Sequence, residues 1–352
     1  MVSLRDILKM GVANKASDIH LTVGRQPSLR INGKMRPVGE DALTKEDTMR
    51  YAKACLDDEK YEHLIRVGEV DFSMSVEGLS RFRVNVFHQR GSLALVFRVL
   101  ASKIPSLESL GFPKVVKDIC SIKEGLILVT GPTGSGKSTT MASIINEINA
   151  TKQGHILTLE DPIEYIFKHD KCIVNQREIS QDSRSYANAL RAALREDPDV
   201  IFIGEMRDNE SISIGVTAAE TGHLVLSTLH TLGAAKTLDR LIDVFPPDQQ
   251  QQIRVQVSGA LRAVISQRLI PDIEHKGRVA ALEVMVVTPA ISNLIREGKG
   301  TNINSMIQTG AAFGMQPMDK SIADLYKRGL ISKEDAYESC IDKGTLERYI
   351  MV

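Results

Sequence analysis

Eight consecutive residues, Gly131-Pro132-Thr133-Gly134-Ser135-Gly136-Lys137-Ser138, with Thr139 behind them, narrow the folding options more than anything else in the sequence. They fit the pattern G-x-x-x-x-G-K-[ST]. They follow a continuous apolar run, GLILVTG, and precede helical spacing from Ser138 to Ala150. An apolar run of that length is expected for a strand buried on both faces of a parallel sheet. Strand, glycine-rich turn and helix together make a phosphate-binding loop. Glycines let backbone N–H groups wrap an anion with no Cβ in the way. The helix then points its unpaired amides at the same oxygens. In such a loop Lys137 reaches the β- and γ-phosphates, and the Ser138 hydroxyl is a ligand for Mg²⁺. Gly131 to Thr139 are therefore expected to bind ATP or a similar nucleoside triphosphate with its magnesium.

Three further runs, HILTLED, VIFIGE and HLVLSTL, read as strands of the same sheet. Two of them end in acids. Glu205 closes VIFIGE, where a carboxylate reaches Mg²⁺ through its water shell. Glu160, Asp161 and Glu164 stand at and just beyond the end of HILTLED. In an open α/β sheet ligands sit at the carboxyl ends of the strands, so both clusters are candidates for holding metal or activating water. His223 and His230 flank LVLSTL, one at each end, and have no Cys or His partner at metal spacing. The choice for them is between packed or surface histidines and sensors of the γ-phosphate.

Before about residue 100 the texture differs. An opening amphipathic helix (Leu4, Ile7, Leu8) leads into short strands, SDIHLTV and SLRI, with Asn32-Gly33 as a turn. A helix around Lys45 to Arg66 precedes VDFSMSV, RFRVNVF and LALVFRVL, the last two joined around Gln89-Arg90-Gly91. This predicts an α+β domain over residues 1–100. The proline-containing stretch 101–113 reads as a linker, and 114–352 as an α/β domain with a mostly helical tail. In that tail Gln249–Leu269, Ala290–Glu297 and Met318–Lys327 read as helices, with Ser332 and Asp335 a capping pair. Arg81 and Arg83 share one strand face, Arg90 lies in the turn, and Arg98 interrupts an apolar strand. Each is either a solvated edge residue or, if the chain forms a ring, an arginine supplied in trans to the next subunit's phosphates.

Composition limits the partners. With 44 basic and 44 acidic residues and no Trp, the chain has neither the charge nor the aromatic platform of a nucleic-acid binder. No nucleic-acid partner is expected. Cys55, Cys120, Cys172 and Cys340 are scattered with no CxxC pair, which points to reduced, buried thiols rather than a zinc ribbon. No run approaches the ~18 apolar residues of a membrane span, so a soluble, intracellular chain is expected.

Taken together, GPTGSGKST, ILTLEDPIEY, VIFIGEMRD, TGHLVLSTLHT and AISNLIREGK resemble the secretion-superfamily ATPases, most closely the PilT-type retraction ATPases of type IV pili. ASDIHLTVGRQPSLRINGKM extends the likeness into the first domain. The resemblance implies a homohexameric cytoplasmic motor at the inner face of the membrane, acting on a platform protein and, through it, on the pilin fibre. It implies a PAS-like N-terminal domain and a RecA-like ATPase domain. It makes Glu205 the Walker B acid, Glu164 the catalytic glutamate, His223 and His230 the histidine box, and the first-domain arginines trans-acting. Extension motors of this superfamily typically carry a four-cysteine zinc element, and this chain has none. Asn293, Leu294, Ile295, Arg296 and Glu297 match the retraction motif usually written AIRNLIRE, with Ser292 in place of its first Arg. The competing readings are an accessory, nucleotide-gated retraction subunit and a nucleic-acid translocase, which the neutral charge disfavours.

Overall fold

The structure, a computed structural model, describes residues 2–100 and 103–351. Ala101 and Ser102 of the expected linker lie outside the described residues. The chain forms two compact units, Met1–Lys103 with Pro162–Ile166, and Ile104–Asp161 with Phe167–Val352. Most of the proline-containing stretch thus belongs to the second unit. Leu107 is buried there, and Ser143 donates to the Pro105 carbonyl at 2.8 Å.

The first unit runs α1 (Leu4–Ala13), β1 (Asp18–Leu21), β2 (Ser28–Ile31), β3 (Lys34–Pro37), α2 (Lys45–Cys55), α3 (Asp58–Val67), β4 (Glu69–Val76), β5 (Ser80–Gln89) and β6 (Ser92–Val99). Its strands form an antiparallel sheet in the order β3-β2-β1-β6-β5-β4. Ile7 and Leu8 of α1 are fully buried, and Phe82 meets Phe97 edge-on with ring centroids 6.3 Å apart. Arg90 and Gly91 both have positive φ, 45° and 70°, which a two-residue hairpin loop with the right twist requires. The single helix expected from Lys45 to Arg66 is two. Leu56 is extended, and Asp57 caps α3 by accepting from Lys60 N at 2.8 Å.

The second unit comprises α4 (Lys114–Ile119), β7 (Gly125–Thr130), α5 (Lys137–Thr151), β8 (Gly154–Glu160), β9 (Cys172–Glu178), α6 (Tyr186–Ala193), β10 (Val200–Ile203), α7 (Asn209–Glu220), β11 (Leu224–Leu229), α8 (Ala234–Asp243), α9 (Pro247–Ala260), β12 (Leu261–Pro271), β13 (Arg278–Val286), α10 (Pro289–Arg296), α11 (Ile303–Thr309), α12 (Met318–Lys327), α13 (Lys333–Ser339) and α14 (Lys343–Met351). The sheet order is β13-β12-β7-β11-β10-β8-β9, parallel except for the β12–β13 pair. Every residue of β7, β10 and β11 is buried, as strands covered on both faces must be. The chain leaves β7 and re-enters the sheet three places away at β8; β10 and β11 then fill the gap. In an open sheet with such a reversal, ligands sit at the carboxyl ends of the strands, the edge at which the phosphate loop leaves β7.

The tail is not simply helical. The helix expected over Gln249–Leu269 stops at Ala260, and Leu261–Pro271 is a strand beside β7. An apolar segment buried on all sides carries no period that separates strand from helix. Strands β3, β9 and β13 were also not anticipated. Helix α6 begins at Tyr186, with Ser185 as its cap. Among the described residues, no helix is long and apolar enough to cross a membrane.

Candidate functional site

The phosphate loop leaves β7 at Thr130 and enters α5 at Lys137. Glycine is required at both ends of the turn. Gly131 (φ +148°) would drive a Cβ to 2.4 Å from the Gln267 carbonyl oxygen, and Gly136 (φ +87°) one to 2.9 Å from Gln267 Nε2. Helix α5 starts on Gly136, which has no side chain to offer its first amides. Lys137 Nζ donates to the carbonyls of Gly131 (2.9 Å) and Pro132 (3.0 Å), so the ammonium lies across the loop. Two buried hydroxyls at the loop, Thr130 Oγ1 and Ser135 Oγ, have no hydrogen-bond partner within the described protein. Uncapped amides, an ammonium and orphaned hydroxyls suit a polyphosphate. Ser138 stands in the first turn of α5 and Thr139 behind it; the Thr139 carbonyl accepts from Ser143.

Neighbouring strands bring further groups to the same edge. Ser227 and Thr228 of β11 donate to the carbonyls of Ile203 (2.8 Å) and Gly204 (2.6 Å), fixing the backbone just before Glu205. Glu205 lies between Arg207, at 2.7 Å, and His230, whose Nε2 is 3.4 Å from Oε2. His230 and Glu205 are therefore brought together. His223 is not: it precedes β11, and its carbonyl accepts from Gly125 N at the opposite end of β7. Six residues of strand, roughly 20 Å, separate the two histidines. Its ring faces the Ala218 carbonyl at 3.1 Å, so a phosphate-sensing role within its own subunit has no support from this position.

The acids after β8 divide. Glu160 is buried and accepts from Thr158 Oγ1 (2.6 Å) and Gln176 Nε2 (3.1 Å), which makes it a structural link to β9. Tyr186 sits against these acids. Burial raises its phenol pKa above the ordinary value, and the charges of Asp161, Glu205 and Glu160 push it the same way, so it stays a hydroxyl donor. Glu164 belongs to the segment that packs with the first unit, where the adjacent Ile163 carbonyl accepts from Arg81 Nε at 3.1 Å.

The first-unit arginines have partners in their own chain. Arg81 also bonds Ser73 and Ser75; Arg83 pairs with Asp71 (3.1 Å) and Arg98 with Asp18 (3.0 Å). Arg83 and Arg98 lie opposite each other on β5 and β6, so the two aspartates offset like charges in one row. Among the described residues Arg90 is exposed with no ion pair. In α10, Asn293 bonds both Glu297 (2.8 Å) and Arg296 (2.6 Å), while Ile295 is buried and Leu294 partly so. Ser292 donates to the Ser258 carbonyl of α9 at 2.6 Å.

Arg207, Tyr186, Gln267 and Arg278, whose Nη1 donates to the Gly134 carbonyl at 3.2 Å, were missed from sequence. Only Arg207, two residues from Glu205, carried a local signal. For magnesium, no group of three or more His, Cys, Asp or Glu among the described residues forms a cage. One hydroxyl and one carboxylate beside phosphates and water are the ligands this cation usually takes.

Fold and site together define a phosphate-loop ATPase with a RecA-like sheet. A family model described as Type II/IV secretion system protein matches residues 2–334, and the chain belongs to that family. It is 47% identical over 337 residues to the type IV pilus retraction ATPase PilT of Pseudomonas aeruginosa, covering 96% of this chain and 98% of the relative. To a twitching motility protein of Neisseria gonorrhoeae it is 49% identical over 310 residues, 88% of this chain and 83% of that one. A crystal structure of the pilus retraction motor PilT with bound ADP superposes with a TM-score of 0.92 at 50% identity, covering 99% of this chain and all of the other.

Proposed function

We propose that this chain hydrolyses ATP and uses the energy to retract a type IV pilus. The observation that carries the reading is the phosphate loop itself: uncapped amides, Lys137 across the loop and two unpartnered buried hydroxyls. Its near end-to-end likeness to a retraction ATPase supplies the task. In this reading the loop amides and Lys137 hold the β- and γ-phosphates. Ser138 and Glu205 hold Mg²⁺, which when bound neutralises charge on the phosphate oxygens. His230 and Arg207 orient Glu205, and Glu164 takes a proton from the attacking water. The first unit is PAS-like. Six copies form a ring beneath the cytoplasmic membrane, where first-unit arginines act across subunits and the motor works on a platform protein so that pilin leaves the fibre base.

Changing Lys137 to Ala tests the site. Steady-state ATP turnover of the purified protein should fall by about 10²-fold or more, the scale of losing one charge-stabilising donor, and cells carrying the variant should not retract pili. Turnover at the parental rate would refute the assignment.

A further inference from the structure

We propose that Gln267 of β12 is a positioning residue that holds the phosphate loop in its nucleotide-binding shape. The inference rests on the nucleotide reading above and adds to it a residue outside every motif that pointed to the site.

Successive residues of a strand face opposite ways. On β12 this separates two neighbours with different tasks. Ser266 Oγ accepts from Gly233 N at 2.8 Å, on the side of α8. Gln267, 2% exposed, turns to the loop. Its Nε2 donates to the Ser135 carbonyl at 2.7 Å, and its Oε1 accepts from Thr140 Oγ1 at 2.6 Å. One planar amide thus joins the middle of the loop to the first turn of α5. No other neutral side chain of that length offers a donor and an acceptor in one rigid plane.

The grip has a direct consequence for anion binding. A trans peptide carries its C=O and the next N–H on opposite sides. Holding the Ser135 carbonyl toward β12 therefore aims the Gly136 N–H away from β12, the side left for a phosphate. Gly136 is a glycine at φ +87°, where rotation of that peptide meets little steric resistance. Without the amide, the loop spends part of its time with this N–H turned away. Apparent affinity then falls by the fraction of loops still competent.

The expected signature separates positioning from simple stability. In Gln267→Leu, KM for ATP rises about tenfold if the competent fraction drops to roughly one-tenth, while kcat at saturation stays within about twofold. Gln267→Glu behaves similarly, because a carboxylate cannot donate to Ser135. Thr140→Val leaves the Ser135 bond and raises KM less, about threefold. These last two also serve if Gln267→Leu does not fold. Thermal unfolding without nucleotide is measured alongside. Parental KM in the glutamine variants, or a fall in kcat matching the loss of folded protein at unchanged KM, overturns the proposal. A parent that binds no ATP removes the functional reading and this inference together.

Discussion

Glu283, on β13, is a buried carboxylate, 6% exposed, that accepts from the amide of Ala234 at the start of α8 at 2.8 Å. Burial raises its pKa above the usual 4.5; the amides of Ala234 and Met318 offset part of the shift, and the charge of Asp319 adds to it. A folded-state pKa above the unfolded one means the native protein binds more protons in the interval between them. Stability from this group is therefore fullest below the unfolded value and is lost as pH rises through the folded one. Comparing thermal midpoints at about pH 5 and about pH 8 should show a smaller difference in Glu283→Gln than in the parent. An unchanged difference would mean that Glu283 does not titrate in that window. At this scale the readable residues were those whose chemistry is written contiguously. Gly131 to Ser138 form one string, and Glu205 and His230 end strands of visible character. Gln267 lies more than a hundred residues from the loop it grips, and Glu283 and Tyr186 gain their meaning only from what surrounds them.

Among the elements, the strands β7, β8, β10 and β11 were legible because burial on both faces leaves an unbroken apolar run between polar ends. The same property hid β12. LRAVISQRLIP follows the helical QQIRVQVSGA with no proline at the junction and only Ser258-Gly259 as a break signal, and arginine and glutamine suit a helix as well as a strand. Only its place beside β7 decides the matter. β9 (CIVNQRE) lies at the sheet edge, mixed in polarity, and carried too little pattern to be read. Caps were decisive elsewhere. Thr44 and Asp47 close a capping box on α2, each bonding the other's backbone amide, at 3.2 and 3.0 Å. Thr44→Ala should cost about 1 kcal/mol in denaturant unfolding of the first unit, with the m-value unchanged. A change below a few tenths would place the start of α2 under the control of packing instead.

For the whole molecule, the proposed ring makes a claim that no single chain can satisfy. Arg81, Arg83 and Arg98 all have partners within their own chain, so service to a neighbouring subunit requires them to exchange or share those contacts. Mixing Glu164→Gln subunits, expected to turn over about 10²–10⁴-fold slower, with Arg→Ala subunits tests this. If arginines act in trans, mixed rings contain sites with two, one or no defective parts, and the intact sites make activity depart from the average of the two pure variants. Activity that follows the average places every arginine in service to its own site.

The chain passes between its two compact units more than once, because Pro162–Ile166 leaves the second unit and returns to it. A cut through the linker would therefore not yield two self-sufficient halves. The piece with the phosphate loop would keep Lys137, Ser138 and Gln267. It would also keep Glu164, but on a segment deprived of the floor on which it rests, Arg81 included. Separating the two units along the linker would thus strand a five-residue segment away from the unit it packs with.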